Sequence, residues 1–383
     1  MKLHKIVAMI MAMLLLTGCW SKFEVQNANY ATAVGIDYDE GTYTLYLQML
    51  DLSSVAKLEG QQKAEQAPVW IGKGTGISFT EAANDLYNTS QQRLSWGHVS
   101  SIIFSEKLLK KHKVQEVLEL FNRYREFRNL VWIFSTEEPL DEVLAATPFF
   151  RLSPKASILH NPEQNYRQYS ILPPVRLYQF VQFSNEKAKA SYIPELGLSK
   201  HQWKESQKPH ELLKYTGIHV YDHNKYYGHM GLGELKGLPW LSPNTIRLPI
   251  TLFKGGQLAA VLVMEKPEAR ITPVVRNEKA YFDVAVKAHA SVNELHQNLN
   301  EQEVSKMAQR EIESQIEKTF RIAYDKKIDI YNLGESLYRK DSSAWDKIAE
   351  GGSFVLNENS LRNVKVQVKI TYPGRYKFEK IHH

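Results

Sequence analysis

Cys19 is the only cysteine among 383 residues. No disulfide can form within the chain, so every unit it folds into must hold together by packing alone. Nor does the thiol stand where a core would use it. It follows residues 6–16, an unbroken apolar run (IVAMIMAMLLL) preceded by the basic residues Lys2 and Lys5. A bilayer takes about 20 apolar residues to cross, so this run does not span one. A basic start, a short apolar core and small residues behind it make an export signal instead.

The core ends not in an A-x-A cleavage site but in Leu16-Thr17-Gly18-Cys19, which has the form of a bacterial lipobox. In such a box the thiol is alkylated with diacylglycerol and the chain is cut just before the cysteine. Residues 1–18 are therefore expected to leave as a lipoprotein signal peptide. The mature chain then starts at Cys19, the lipid attachment residue, with its new amine open to an N-acyl chain such as palmitate. Each buried CH2 contributes about 0.8 kcal/mol, and two or more chains hold a protein stably on a bilayer. The expected location is the outer face of the bacterial cell membrane.

The rest has the make-up of a globular chain, 43% hydrophobic and 23% charged. Its length suits two or three domains at about 150 residues each. The net charge is +6, and +4 once Lys2 and Lys5 are lost. The excess is scattered, its densest stretch being KLLKKHK at 107–113. No basic patch with a reading motif supports a nucleic-acid partner.

Hydrophobic periodicity divides the chain into three unlike α/β (mixed α+β) domains, each a sheet with flanking helices. The first covers 19–184. It opens with a hairpin at 30–51 turning at Asp39-Glu40-Gly41, and continues with a mobile polar loop at 53–68. A helix over 78–90 starts with a Ser78/Glu81 capping box. Strands at 99–104 and 130–134 alternate with helices at 106–124 and 139–146. Residues 185–209 are polar and poorly patterned, and are expected to be a linker. A small strand-rich domain spans 210–268, with a strand pair turning at 222–224. The last domain, 269–376, has a half-buried strand over 280–290, an amphipathic helix over 301–324, a second helix over 328–338 and a final strand over 364–370.

Motifs for chemistry are scarce. Gly72, Gly74 and Gly76 precede a helix but match no phosphate-loop or dinucleotide pattern, and are expected to be turn glycines. His219, His223 and His229 suggest a metal site. Residues four apart on a strand stand about 13 Å from each other, however, so His219 and His223 cannot share an ion. HExxH is absent and no free thiol remains, so no metal and no cofactor beyond the covalent lipid is expected. There is no G-x-S-x-G elbow and no assignable pair of acids, so no catalytic residue is expected and the chain is not taken as an enzyme.

Several stretches together resemble the Ger(x)C lipoproteins, the C subunits of spore germinant receptors. Cys19-Trp20 followed by Glu24-Val25 is similar to that family's mature start, with Ser21 where an acidic residue is usual. AVGID at 33–37 resembles the first-strand signature, and Gln48 stands where a strand glutamine is common. GISFTEA at 76–82, then Gly97-His98 and Ile102-Ile103-Phe104, form the most specific block. Thr216 to His219 with GHMGLGELKGLPW at 228–240, and then Asp329-Ile330, Gly334 and Trp345-Asp346, complete the pattern.

The resemblance implies a three-domain lipoprotein, on the spore's inner membrane, needed for nutrient-triggered germination. It would join an integral, multi-spanning A-type subunit and a transporter-like B-type subunit. It names no catalytic residues and leaves open whether this subunit binds the germinant. Gly35 and Gly97 suit tight turns, Asp37 could cap one, and His98 is the candidate partner contact. The alternative is a solute-binding lipoprotein of a nutrient transporter, but such proteins have two similar lobes and three unlike units argue against it.

Overall fold

Two short runs, SIIFS and WIFST, are buried on both faces, as central parallel strands must be. They form the middle of a nine-stranded sheet. The structure, a computed structural model, describes residues 28–50, 68–123, 130–222, 225–349 and 355–372. The expected leader, Cys19 and the polar stretch up to residue 67 lie outside the described residues, as do His223, His382 and His383. No helix among the described residues is long and apolar enough to cross a membrane.

The first sheet contains β1 (Ala28–Asp39), β2 (Thr42–Leu50), β3 (Val69–Gly76), β4 (Arg93–Ser95), β5 (Ser101–Ser105), β6 (Trp132–Thr136), β7 (Ala190–Glu205), β8 (Lys208–Asp222) and β9 (Lys225–Gly231). Its order is β3-β2-β1-β5-β6-β7-β8-β9, with β4 beside β1. β1, β5, β6 and β7 run parallel. Helices α1 (Phe79–Thr89), α2 (Glu106–Lys110), α3 (Val114–Arg123), α4 (Leu140–Ala145), α5 (Pro162–Gln168) and α6 (Leu177–Asn185) supply the crossovers. The second sheet has four strands in sequence order, β10 (Arg247–Lys254), β11 (Gln257–Arg276), β12 (Lys279–Leu295) and β13 (Leu361–Tyr372). A short helix α7 (Leu238–Leu241) precedes it; α8 (Glu301–Asp325), α9 (Leu333–Lys340) and α10 (Ser342–Ala349) connect β12 to its parallel neighbour β13.

The mixed α/β class holds: two sheets with flanking helices. Several details differ from the expectations above. The expected linker contains β7, whose residues 190–199 are largely covered between β6 and β8. Its polar residues gather at 200–205, where β7 and β8 project as an exposed ribbon; averaging over both halves hid the strand. The strands expected in the middle unit are divided, β8 and β9 extending the first sheet while β10 and β11 open the second. The single helix expected over 106–124 is two helices. The chain turns left-handed at His112 (φ 57°), with Lys113 N–H closing on Leu108 O.

One apolar cluster runs through both sheets, from Phe134 and Ile218 to Phe282 and Ile316. The α8 residues Val304, Ala308, Ile312, Ile316 and Phe320, one per turn, face it. Each of the four larger side chains, Val304, Ile312, Ile316 and Phe320, contributes about 1.5–3 kcal/mol on burial.

Candidate functional site

The residues singled out in the sequence mostly prove to be joints. Gly35 lies within β1, not in a turn, where an added Cβ would meet Leu140 Cδ2 at 3.1 Å and Tyr46 Cβ at 3.3 Å. Asp37 accepts the Ser105 hydroxyl and the Tyr38 N–H, tying the ends of β1 and β5. Gly72, Gly74 and Gly76 are not turn glycines either. They form the face of β3 on which α1 lies, and a Cβ at Gly74 would come within 2.3 Å of Ala82 O. Gly97 does occupy a turn, with nothing nearer its Cβ position than Ser95 Oγ at 3.9 Å. Trp240 donates to Gln315 Oε1 at 2.8 Å and Gly237 presses on the backbone of α8, so the GLPW turn docks onto that helix. Asp329 caps α9 through the N–H groups of Leu333 and Gly334. Trp345 is buried edge-on to Tyr338. His98 is exposed and meets Tyr30 edge-to-face at 4.6 Å.

A different set of residues meets where β6, β7, β8 and β9 run side by side. Ser135 pairs with Glu195, Glu195 with Gly217, and His219 with His229. Paired residues share a sheet face, so these side chains line one stripe across four strands. His219 and Glu195 are buried, 0% and 4% exposed. Gly217 makes the stripe possible. A Cβ there would stand 2.7 Å from His229 Nε2, and in its absence His229 reaches over β8 to Glu195 Oε2 at 3.0 Å. Thr216 donates to the same oxygen at 2.6 Å. The donor atoms of Glu195, His219 and His229 lie within 4.8 Å of one another, and these three residues have the donor types to hold a metal ion.

The electrostatics of the cluster divide its members. Burial pulls Glu195 up, but hydrogen bonds from His229 and Thr216 outweigh it and hold the carboxyl below its usual range. His229 is held above the usual imidazole value, first by its bond to Glu195. Burial drives His219 down despite the nearby carboxylate, so its ring is neutral. Glu106 and Glu137, the first residues past β5 and β6 on that side, close the cluster; burial and then the carboxylates of Glu106 and Glu195 push Glu137 up. The carboxyl ends of parallel strands are where open α/β sheets form ligand crevices.

Spacing along one strand tests His219 only against His223 and misses its pairing with His229 across the hairpin. The signal was present. A turn at 222–225 places 219 opposite 228 or 229, and Gly217 leaves the space that His229 crosses.

A groove of about 850 Å3 lies between the two sheets, lined by Trp132, Arg176, Tyr178, Lys189, Asn332 and Arg339 among others. Arg176 stacks on the Trp132 ring at 3.6 Å. Lys189 bridges to Glu335 at 3.1 Å, and Ala190 N–H bonds Asn332 Oδ1, clasping β7 to α9.

Comparison with known proteins agrees with this architecture. Residues 21–198 match the family described as the spore germination protein N-terminal domain, and residues 216–374 the family described as spore germination B3/GerAC like, C-terminal. Among curated proteins of Bacillus subtilis (strain 168), spore germination protein KC is 24% identical over 90% of this chain and 89% of its own length. Spore germination protein B3 is 22% identical over 94% and 95%. Among solved structures, that of the GerBC protein superposes with a TM-score of 0.56 at 18% identity, covering 88% of this chain and 96% of its own. It shares the fold.

Proposed function

The chain belongs to the Ger(x)C family of spore germination proteins, and from that membership we propose that it is the lipid-anchored, non-catalytic C subunit of a spore germinant receptor. The observation that carries this reading is the extent of the match. The two family domains cover 21–198 and 216–374, taking in both sheets, and the relatives align over most of their own lengths.

In this reading residues 1–18 are removed and Cys19 carries the lipid. The folded part then rests on the outer face of the membrane, in the spore on its inner membrane. There it acts as an interaction surface for the integral A-type and B-type subunits, and nutrient-triggered germination depends on that assembly. No catalysis is assigned, because the sequence holds no catalytic motif. Tethering raises the effective concentration of a weak contact. Loss of the lipid should therefore cost the assembly more than loss of a single surface residue such as His98.

The test is capture of the tagged chain from detergent-solubilised spore membranes, with mass spectrometry of its partners, for the wild type and Cys19→Ala. The expected result is one multi-spanning and one transporter-like partner with the wild type, both depleted with the variant. Recovery of a transporter with its ATPase would replace this reading with a solute-binding lipoprotein. A Cys19→Ala chain that remained in the membrane fraction and kept both partners would remove the anchor from the proposal.

A further inference from the structure

We propose that Glu195, His219 and His229 form a binding site for a divalent transition-metal ion of the Zn2+ type. The three residues come from adjacent strands β7, β8 and β9, and their donor atoms lie within 4.8 Å of one another. Ligand bonds to zinc are about 2.0–2.2 Å, so two donors on one ion stand at most about 4 Å apart. Closing the set takes a shift of about 1 Å, and the ion displaces the His229 ring proton that Glu195 Oε2 now accepts, releasing it to solvent.

An ordinary ion pair does not account for the arrangement. The Glu195–His229 bond uses Oε2 and one ring nitrogen. It leaves Glu195 Oε1 and His219 Nε2 buried with no hydrogen-bond partner among the described residues. Buried polar atoms are rarely left so, and each calls for an explanation such as an ion. The His219 ring is also oriented for a ligand. Ser135 Oγ lies 2.9 Å from His219 Nδ1 and donates its own proton to Pro194 O at 3.3 Å. The serine oxygen thus accepts from Nδ1–H, and the lone pair of Nε2 is free. Fixing the far nitrogen in this way is the usual outer-sphere arrangement of a metal-bound histidine. On the carboxylate, Thr216 does the same for Oε2.

The surroundings suit a cation. Glu106 Oε1 is 3.9 Å from His219 Nε2. Lys110 and Lys326 are the facing positive groups, each already paired, with Glu106 and Glu234. Two imidazoles and one carboxylate suit zinc and its neighbours rather than calcium or magnesium, which take oxygen ligands. Three protein ligands leave a fourth position for water or for a group from another molecule. The ion would cross-link three strands at the end of the first sheet, and this inference stands apart from the receptor assignment.

The experiment is calorimetric titration of the full-length lipoprotein in detergent, stripped with chelator, using Zn2+ alone, with Co2+ as an absorption probe. The expected result is one ion per chain, a visible Co2+ band of four-coordinate intensity, and no competition from Mg2+ or Ca2+. Glu195→Gln and His229→Gln should each weaken binding at least about tenfold, since even outer-sphere losses reach that size. His229 is 33% exposed, so His229→Gln serves where a change at buried His219 prevents folding, and unchanged circular dichroism confirms the fold. A wild type without saturable Zn2+ binding overturns the proposal. So does an affinity unchanged in both variants, as ion capture at His382 and His383 would give.

Discussion

Gln48 Oε1 accepts a hydrogen bond from His160 Nε2 at 3.0 Å, joining residues 112 positions apart. The same oxygen takes the Thr32 hydroxyl at 2.8 Å, and the amide nitrogen donates to Leu144 O at 2.7 Å. One buried side chain on β2 thus satisfies β1, the last turn of α4 and the segment that leads to α5. Gln48→Leu keeps the volume and leaves these partners unpaired. Each unsatisfied group costs about 1–3 kcal/mol, so with three partners a loss of at least about 3 kcal/mol is expected. It should appear as a lower urea midpoint at unchanged m. A midpoint within error of wild type would show that water replaces the amide.

The same network makes stability depend on pH. Desolvation, reinforced by the Lys155 ammonium, pushes the His160 imidazole down from 6.5 to about 3. Below pH 6.5 the unfolded chain takes up a proton that the folded chain refuses. Stability from this group is therefore full above 6.5 and falls as pH drops toward 3, by up to about 1.4 kcal/mol per pH unit. Urea melts at pH 7 and pH 5 should show a larger drop for wild type than for His160→Gln. Equal drops would mean that His160 gains its proton in the fold.

How far this architecture was legible in the sequence depends on the range of the signal. The β1–β2 hairpin, α1 with its Ser78 cap and the long α8 follow from local rules, turn residues, a capping hydroxyl and apolar steps of four. β7 escaped because its two halves have opposite characters, one in the sheet and one in solvent. β3 escaped because three of its residues are glycines, chosen for contact with a helix rather than for strand propensity. The stripe of Glu195, His219 and His229 needed strand order as well as strand position. Pairing across a hairpin could be read from its turn, whereas the arrival of β7 on the other side could not. Cys19, whose expected role is in processing, lies outside the described residues.

Gly74 tests the reading of β3. With a Cβ 2.3 Å from Ala82 O and 2.9 Å from Leu86 Cγ, alanine there must lift α1 off the strand. Overpacking against backbone costs about 1–3 kcal/mol, and Gly74→Ala should lose at least about 2 kcal/mol. Gly97→Ala, in a family motif with open space around it, should stay within about 0.5 kcal/mol of wild type. Thermal or urea melts of the two variants side by side decide it. A neutral Gly74→Ala would mean that these glycines serve something other than helix contact.

Asp329 and Gly334 show why a motif residue can be structural and still sensitive to pH. The two oxygens of Asp329 accept from Leu333 N at 2.9 Å and Gly334 N at 2.7 Å, and a Cβ on Gly334 would stand 3.2 Å from Oδ2. Helix α9 so anchored carries Glu335, the partner of Lys189 just before β7. Removal of such a cap costs about 0.5–2 kcal/mol, and Asp329→Ala should fall at the upper end because a buried joint depends on the helix. Burial raises the Asp329 carboxyl from 3.8 to about 6, against the two N–H groups that favour its charge. Its stabilising contribution is therefore complete below about 4 and is lost as pH rises through 6. The stability difference between wild type and Asp329→Ala should be larger at pH 4.5 than at pH 8, measured by urea unfolding at both. A difference that grew with pH would show that the cap works as a carboxylate and that the helix N-terminus outweighs desolvation.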